Sequence, residues 1–190
     1  MNAHTRFRKA LKPNVFHGVD LGSGSGSAIA RRINKNNSRR FAAVDREFAP
    51  TQQHHAAGQQ LQRKGVVIGY DNLDFLKRMQ KENLRTYSLT AILPEVDAQG
   101  IRMMNEAMKR VPHVLMPTGK MQIVSVDKEF LGIVGKFAQR EGLRWRWKKE
   151  MAASRAKTQS DWAESFVSHP LYRIEISLAT NKPTNRTHKK

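Results

Sequence analysis

The chain reads as an α/β domain with an open, doubly wound, mostly parallel seven-stranded sheet, helices on both faces and an antiparallel last strand. Three observations carry this reading. Short apolar runs alternate with amphipathic stretches through residues 15–178, which is the pattern of βα units and a parallel sheet. The first run, Val19-Asp20-Leu21, passes at once into Gly22-Ser23-Gly24-Ser25-Gly26, a tight turn ahead of a helix. Near the end, Arg144-Trp145-Arg146-Trp147-Lys148 and Tyr172-Arg173-Ile174-Glu175-Ile176-Ser177-Leu178 alternate strictly, so they fit an antiparallel pair that closes the sheet.

The elements follow in order. Residues 1–14 are a basic arm, residues 15–178 the folded domain, and residues 179–190 a basic tail. A first helix is predicted over residues 27–37, ending in the polar turn Asn34-Lys35-Asn36-Asn37. Phe41-Ala42-Ala43-Val44-Asp45 is a second strand. Residues 50–64, rich in Gln and His, read as a second helix with Gly58 as a weak point. Val66-Val67-Ile68-Gly69-Tyr70-Asp71-Asn72 is a third strand and residues 72–83 a third helix. Leu89–Glu95 is a fourth strand, and residues 98–110 a helix with Ile101, Met104 and Met108 at helical spacing. Met121–Val126 is a fifth strand, and Glu129–Arg140 a helix stopped by Gly142. Residues 144–151 and 172–178 form the closing pair. The tryptophans of the 144–148 run are expected in the core and its cations on a solvent or phosphate face.

The glycine run is a nucleotide cradle, because bare backbone amides can approach a ligand closely there. A phosphate-binding P-loop is excluded, because its Gly-Lys must be followed by Ser or Thr, whereas Met121 follows Gly119-Lys120 and Phe137 follows Gly135-Lys136. The dinucleotide fingerprint fails as well, because Ser27 stands at its third glycine. Asp20, Gly22, Gly24 and Gly26 instead resemble, one for one, the first motif of class I (Rossmann-like) S-adenosylmethionine-dependent methyltransferases. The resemblance extends over residues 15–178. It implies S-adenosylmethionine as cofactor, with Asp45 on the ribose hydroxyls, Asp71 on the adenine amino group and Asn72 supplying a further contact. Read from residue type alone, Asp45 and Asp71 are equally helix caps or loop acids.

Composition narrows the partner. There is no cysteine, so disulfides, zinc–thiolate sites and thiol nucleophiles are excluded, and the histidines show no metal-binding spacing. No apolar run reaches membrane-spanning length and no apolar signal core occurs at the N-terminus, so a cytoplasmic protein is expected. Organellar targeting stays open, because Arg6, Arg8, Lys9 and Lys12 could mimic a transit segment. The net charge is +18. A metabolite enzyme has no need of such an excess, whereas a polyanion such as RNA is held through it.

Methyl transfer needs an acceptor atom held against the methyl carbon and, for some acceptors, a group that takes a proton. The family places acceptor-binding residues after the fourth strand, here Leu93-Pro94-Glu95-Val96-Asp97. Glu95 and Asp97 are the candidate catalytic acids, and Asp97 is also well placed to cap the helix from Ala98. Against the Asn/Asp-Pro-Pro-Tyr/Phe signature of exocyclic amine methylation, Leu93 replaces the polar residue and Glu95 the second proline, while Pro94 remains a candidate substrate contact. Lys12, Asp97, Lys148 and Glu175 occur in the order of a ribose-methylating tetrad, a cheap coincidence in a lysine-rich chain. Arg155, Lys157 and Trp162, in the segment joining the last two strands, are candidate substrate contacts. The expectation is methylation of structured RNA, transfer or ribosomal, at a base nitrogen in preference to ribose. The alternatives are a non-catalytic RNA-binding module on the same fold, or a protein methyltransferase; a required protein partner is left open.

Overall fold

In a computed structural model of the chain, each apolar run of the first half becomes a strand, and the strands lie parallel. The structure describes residues 15–22, 41–45, 67–69, 71–92, 96–151 and 170–179. Its elements are β1 (Val15–Phe16), β2 (Gly18–Leu21), β3 (Phe41–Asp45), β4 (Val67–Gly69), α1 (Asn72–Lys81), β5 (Arg85–Ile92), α2 (Ala98–Met108), α3 (Val111–Val114), β6 (Leu115–Ser125), α4 (Lys128–Arg140), β7 (Leu143–Met151) and β8 (Leu171–Leu178). The helices expected over 27–37 and 50–64, and both termini, lie outside the described residues.

The sheet order is β4-β3-β2-β5-β6-β8-β7. Seven positions are filled, as expected, and β1 continues the β2 position at its start. The register is the same on either side of His17, with Phe16 opposite Thr86 and Val19 opposite Leu89. All pairs from β4 to β6 are parallel, and β8 runs antiparallel between β6 and β7.

Two strands begin earlier than their apolar runs suggest. β5 starts at Arg85, because the polar stretch Arg85-Thr86-Tyr87-Ser88 is paired on one side with β1. β6 starts at Leu115, and its register against β5 slips between Thr86 and Ser88, whose partners are Leu115 and Lys120. Such an irregularity hides the strand from a period-2 reading.

One face of the sheet carries the core. α1 contributes Phe75, Leu76 and Met79, α2 Met104 and Met108, and α4 Leu131, Val134 and Ala138. They close over Val19, Leu21, Leu89, Met121, Ile123, Ile174 and Ile176. Each fully buried side chain of this size stabilises the fold by roughly 1.5–3 kcal/mol relative to exposure. Asp127 caps α4 by accepting from the Phe130 N–H at 2.9 Å, and Gly142 ends it at φ +71°. Phe41, Ala43, Val124 and Leu171 are also buried but lie outside this cluster; strand alternation puts them on the opposite face. Among the described residues no helix is long and apolar enough to cross a membrane.

The closing pair separates its side chains as expected, with one correction. Trp145 packs so tightly on α4 that a Cβ on Gly135 would lie 2.5 Å from its ring. Trp147, expected in the core, is 41% exposed. It lies on the edge strand two residues beyond Trp145, where it meets Trp145 edge-on and the Lys128 ammonium 5.8 Å from its ring.

On the opposite face Glu175 is buried. Arg146 donates to its Oε1 from Nε at 3.0 Å and from Nη2 at 2.6 Å. Burial pushes this carboxyl up, but the Arg146 hydrogen bond and the charges of Lys120, Lys148 and Arg146 outweigh it, holding it below the usual range.

Two outcomes follow for stability. Gly135→Ala should cost about 1–3 kcal/mol in urea unfolding, because the added methyl overpacks the Trp145 contact. Glu175 has a lowered folded-state value, so its contribution is complete above the unfolded value of about 4.3 and is lost as pH falls through the folded one. Melting temperature against pH should therefore drop more steeply below about pH 4 in the wild type than in Glu175→Gln.

Candidate cofactor site at the carboxyl ends of the strands

In the sheet order, the chain runs outward through β3 and β4 on one side of β2 and through β5 and β6 on the other. The βα connections therefore reverse direction between β2 and β5. The crevice that opens there, beyond the carboxyl ends of the strands, is where open α/β sheets bind ligands.

Asp20 sits at that reversal. It pairs with Ala43 of β3 and with Thr90 of β5, and it is buried. The Thr90 hydroxyl donates to Asp20 Oδ1 at 2.5 Å. A carboxylate buried in a sheet is tolerated only when its oxygens are satisfied. Thr90, itself buried, satisfies Oδ1 from 70 residues away. It carried no signal in the sequence, because only the register between β2 and β5 brings it there.

The glycine run starts one residue beyond β2. Gly22 has φ +67°, a left-handed conformation that side chains disfavour. Its N–H donates to Asn72 Oδ1 at 3.0 Å. Asn72 is the first residue of α1, so the start of this helix fixes the first turn of the run. The side chain of Asn72 thus acts on the loop. The remaining glycines, Gly24 and Gly26, lie outside the described residues.

Asp45 is the last residue of β3, half-buried and paired with Gly69 of β4. Asp71 follows β4 and caps α1: its Oδ1 accepts from Leu73 N–H at 2.8 Å and Asp74 N–H at 3.2 Å. Among the described residues its Oδ2 accepts no hydrogen bond. The cap reading and the binding reading of Asp71 are thus compatible, one oxygen serving each. Asp20, Asp45 and Asp71 come from three adjacent strand positions at the same end of the sheet.

Beyond β5, Asp97 caps α2, accepting from Gly100 N–H at 2.7 Å. Of the two acids after this strand, Asp97 therefore has a structural task. Pro94 and Glu95 lie outside the described residues, as do Arg155, Lys157 and Trp162. Of the ribose-type tetrad, Lys148 Nζ lies 3.4 Å from Glu175 Oε1 in the middle of β7 and β8, Asp97 caps α2, and Lys12 lies outside the described residues.

No family model matches the chain, and no curated protein matches it in sequence. Solved structures do match its fold. A 30S ribosomal A1408 methyltransferase from an uncultured bacterium aligns with TM-score 0.58 and 18% identity, over 94% of this chain and 95% of that one. A variant of the 16S rRNA (adenine(1408)-N(1))-methyltransferase from Catenulisporales acidiphilia aligns with TM-score 0.62 and 11% identity, over 94% of each chain. A precorrin-6y C5,15-methyltransferase from Geobacter metallireducens aligns with TM-score 0.55 and 15% identity, over 93% of this chain and 86% of that one. The chain shares the fold of these methyltransferases, which is the fold the glycine-run resemblance implied.

Thr90→Val removes the hydroxyl beneath Asp20 and should lower stability by about 1–3 kcal/mol, while Thr90→Ser should retain most of it. Equal denaturation midpoints for Thr90→Val and the wild type would show that the buried carboxylate does not depend on this bond.

Proposed function

We propose that the chain is an S-adenosylmethionine-dependent methyltransferase acting on structured RNA, at a base nitrogen. The observation that carries the reading is the ordered set Asp20, Asp45 and Asp71 at the carboxyl ends of β2, β3 and β4, beside a left-handed glycine turn. The RNA part of the reading is supported by the net charge of +18 and by the fold shared with ribosomal RNA methyltransferases. A methyltransferase fold acting on a small molecule, as the precorrin enzyme's name describes, would have no use for that charge.

The residues present fit the cofactor. When bound, S-adenosylmethionine supplies a methyl group on a sulfonium centre. Gly22, Gly24 and Gly26 present amides without side chains, and Asn72 holds the first of these turns in place. Asp45 offers a bidentate carboxylate to a vicinal diol. Asp71 uses its second oxygen for an exocyclic amine while the first caps α1. Asp20, the acid that opens the motif, is a further cofactor contact, held by Thr90 at the strand end from which the run departs.

The acceptor enters along the edge after β5. Asp97 anchors that edge by capping α2. Glu95 orients the base edge or accepts its proton, with Pro94 stiffening the approach. Arg155 and Lys157 meet phosphate, and Trp162 stacks on a base. A ring nitrogen with an available lone pair demands least of this apparatus, which is why a base nitrogen is preferred to a ribose hydroxyl. The work of the protein is then chiefly positioning.

The test is calorimetric titration with S-adenosylmethionine of the wild type and of Asp45→Ala, followed by labelled methyl transfer to total RNA. Wild-type binding weakened tenfold or more in the variant, a loss of about 1.4 kcal/mol or more, is expected. A folded wild type that binds RNA but neither takes up the cofactor nor transfers methyl groups would instead favour a non-catalytic RNA-binding module.

A further inference from the structure

We propose that Asn72 is a positioning residue for the amino-acid arm of the cofactor: it holds the Gly22 turn against which that arm lies, and it makes no contact with the nucleoside. The inference rests on the proposed function, and its test separates the two.

The division of the ligand follows from the acids. Adenosine offers a vicinal diol and an exocyclic amine, to which Asp45 and Asp71 are assigned. What is left over is the arm on the sulfur, with its amino and carboxylate groups. The glycine run that leaves β2 after Leu21, next to Asp20, is the part of the site left to receive it.

A turn made of glycine holds a ligand well only if something stiffens it. Gly22 sits at φ +67°, and glycine has more backbone freedom to lose than any other residue. Helix α1 has the opposite character. Phe75, Leu76 and Met79 anchor it in the core, and Asp71 closes its first turn by accepting from the Leu73 and Asp74 N–H groups. Asn72 stands between the two. It is the first residue of α1, and its Oδ1 accepts from the Gly22 N–H at 3.0 Å across 50 residues of chain. The stiff element thus holds the soft one. Phe16 and Phe75 pack the same strand position and helix together, their ring centres 6.3 Å apart, so the distance that the bond spans is itself fixed by the core.

The Asn72 side chain is spent on this task. Its oxygen is taken by the Gly22 N–H, and its nitrogen lies beside the same glycine, 3.7 Å from where a Cβ on Gly22 would be. Both ends of the side-chain amide therefore lie against Gly22. The Asp71 carboxylate, by contrast, is oriented by its own cap, which does not involve the Asn72 side chain. Removing that side chain should loosen the turn and leave the capture of adenosine intact.

The experiment uses the full chain and two ligands, adenosine and S-adenosylhomocysteine, of which only the second carries the arm. Both are titrated calorimetrically into the wild type and Asn72→Ala, and exchange of the Gly22 amide is followed by NMR without ligand, in Asn72→Asp as well. Alanine favours helices and leaves the Asp71 cap in place, so Asn72→Ala should fold. It should bind S-adenosylhomocysteine roughly fivefold more weakly, the worth of one hydrogen bond of ordinary strength. It should bind adenosine as the wild type does and exchange the Gly22 amide faster. Asn72→Asp keeps an acceptor oxygen of the same shape and should restore the slow exchange. Should Asn72→Ala not fold, Asn72→Ser, which also lacks the amide, replaces it with the same expectations. Equal weakening for both ligands would make Asn72 a nucleoside contact and overturn the inference. Wild-type binding of both ligands, matched by the folded variant, would overturn the inference alone. A wild type that binds neither ligand would overturn the methyltransferase reading and this inference with it.

Discussion

The architecture turns on one long-range pairing, that of β2 with β5. It joins residues 70 apart and buries Asp20 beside the Thr90 hydroxyl. Everything around the candidate site is referred to it. β3 and β4 extend the sheet to one side and β6, β8 and β7 to the other, so the reversal of chain direction, and the crevice it creates, falls at this pair. A buried acid in a parallel sheet would destabilise the fold if left unpaired. The Thr90 bond ties that carboxylate to the β2–β5 register, so a slipped pairing that lost it would be costly.

Around that pair the local geometry is fixed by helix starts. Asp71, Asp97 and Asp127 each cap a helix that follows a strand. Each cap fixes the first turn of its helix at the carboxyl edge. Asn72 extends the device: it begins α1 and also grips the Gly22 amide. A glycine turn gains ligand access from its lack of side chains but loses stiffness for the same reason. The Asn72 bond restores stiffness where the turn begins, and the carbonyl that does so comes from the helix next to Asp71. Two parts of the proposed cofactor site are thereby set by one junction.

Charge is distributed differently from chemistry. Among the described residues, Asp20, Asp45 and Asp71 sit at the carboxyl ends of β2 to β4, whereas Lys120, Arg146 and Lys148 gather around Glu175 on β6, β7 and β8. The same strand that carries the cations turns Trp145 into the core against Gly135. Its alternation therefore serves stability on one face and leaves charge on the other.

Local sequence was enough for the strands, for the helices from Asn72 onward, for the turn at Gly22 and for the antiparallel closing pair. Each is encoded within a few residues, by apolar period, by turn residues or by a cap, and such short-range preferences survive into the fold. The strands start at Arg85 and Leu115, earlier than the apolar pattern predicts, because pairing makes the strand there. Only tertiary structure decided that Thr90 supports Asp20, that Asn72 grips Gly22, that Trp147 stays exposed and that three cations meet on Glu175. All four depend on strand register or on where a neighbouring helix ends, and those are set by the packing of the whole sheet rather than by any local stretch of chain.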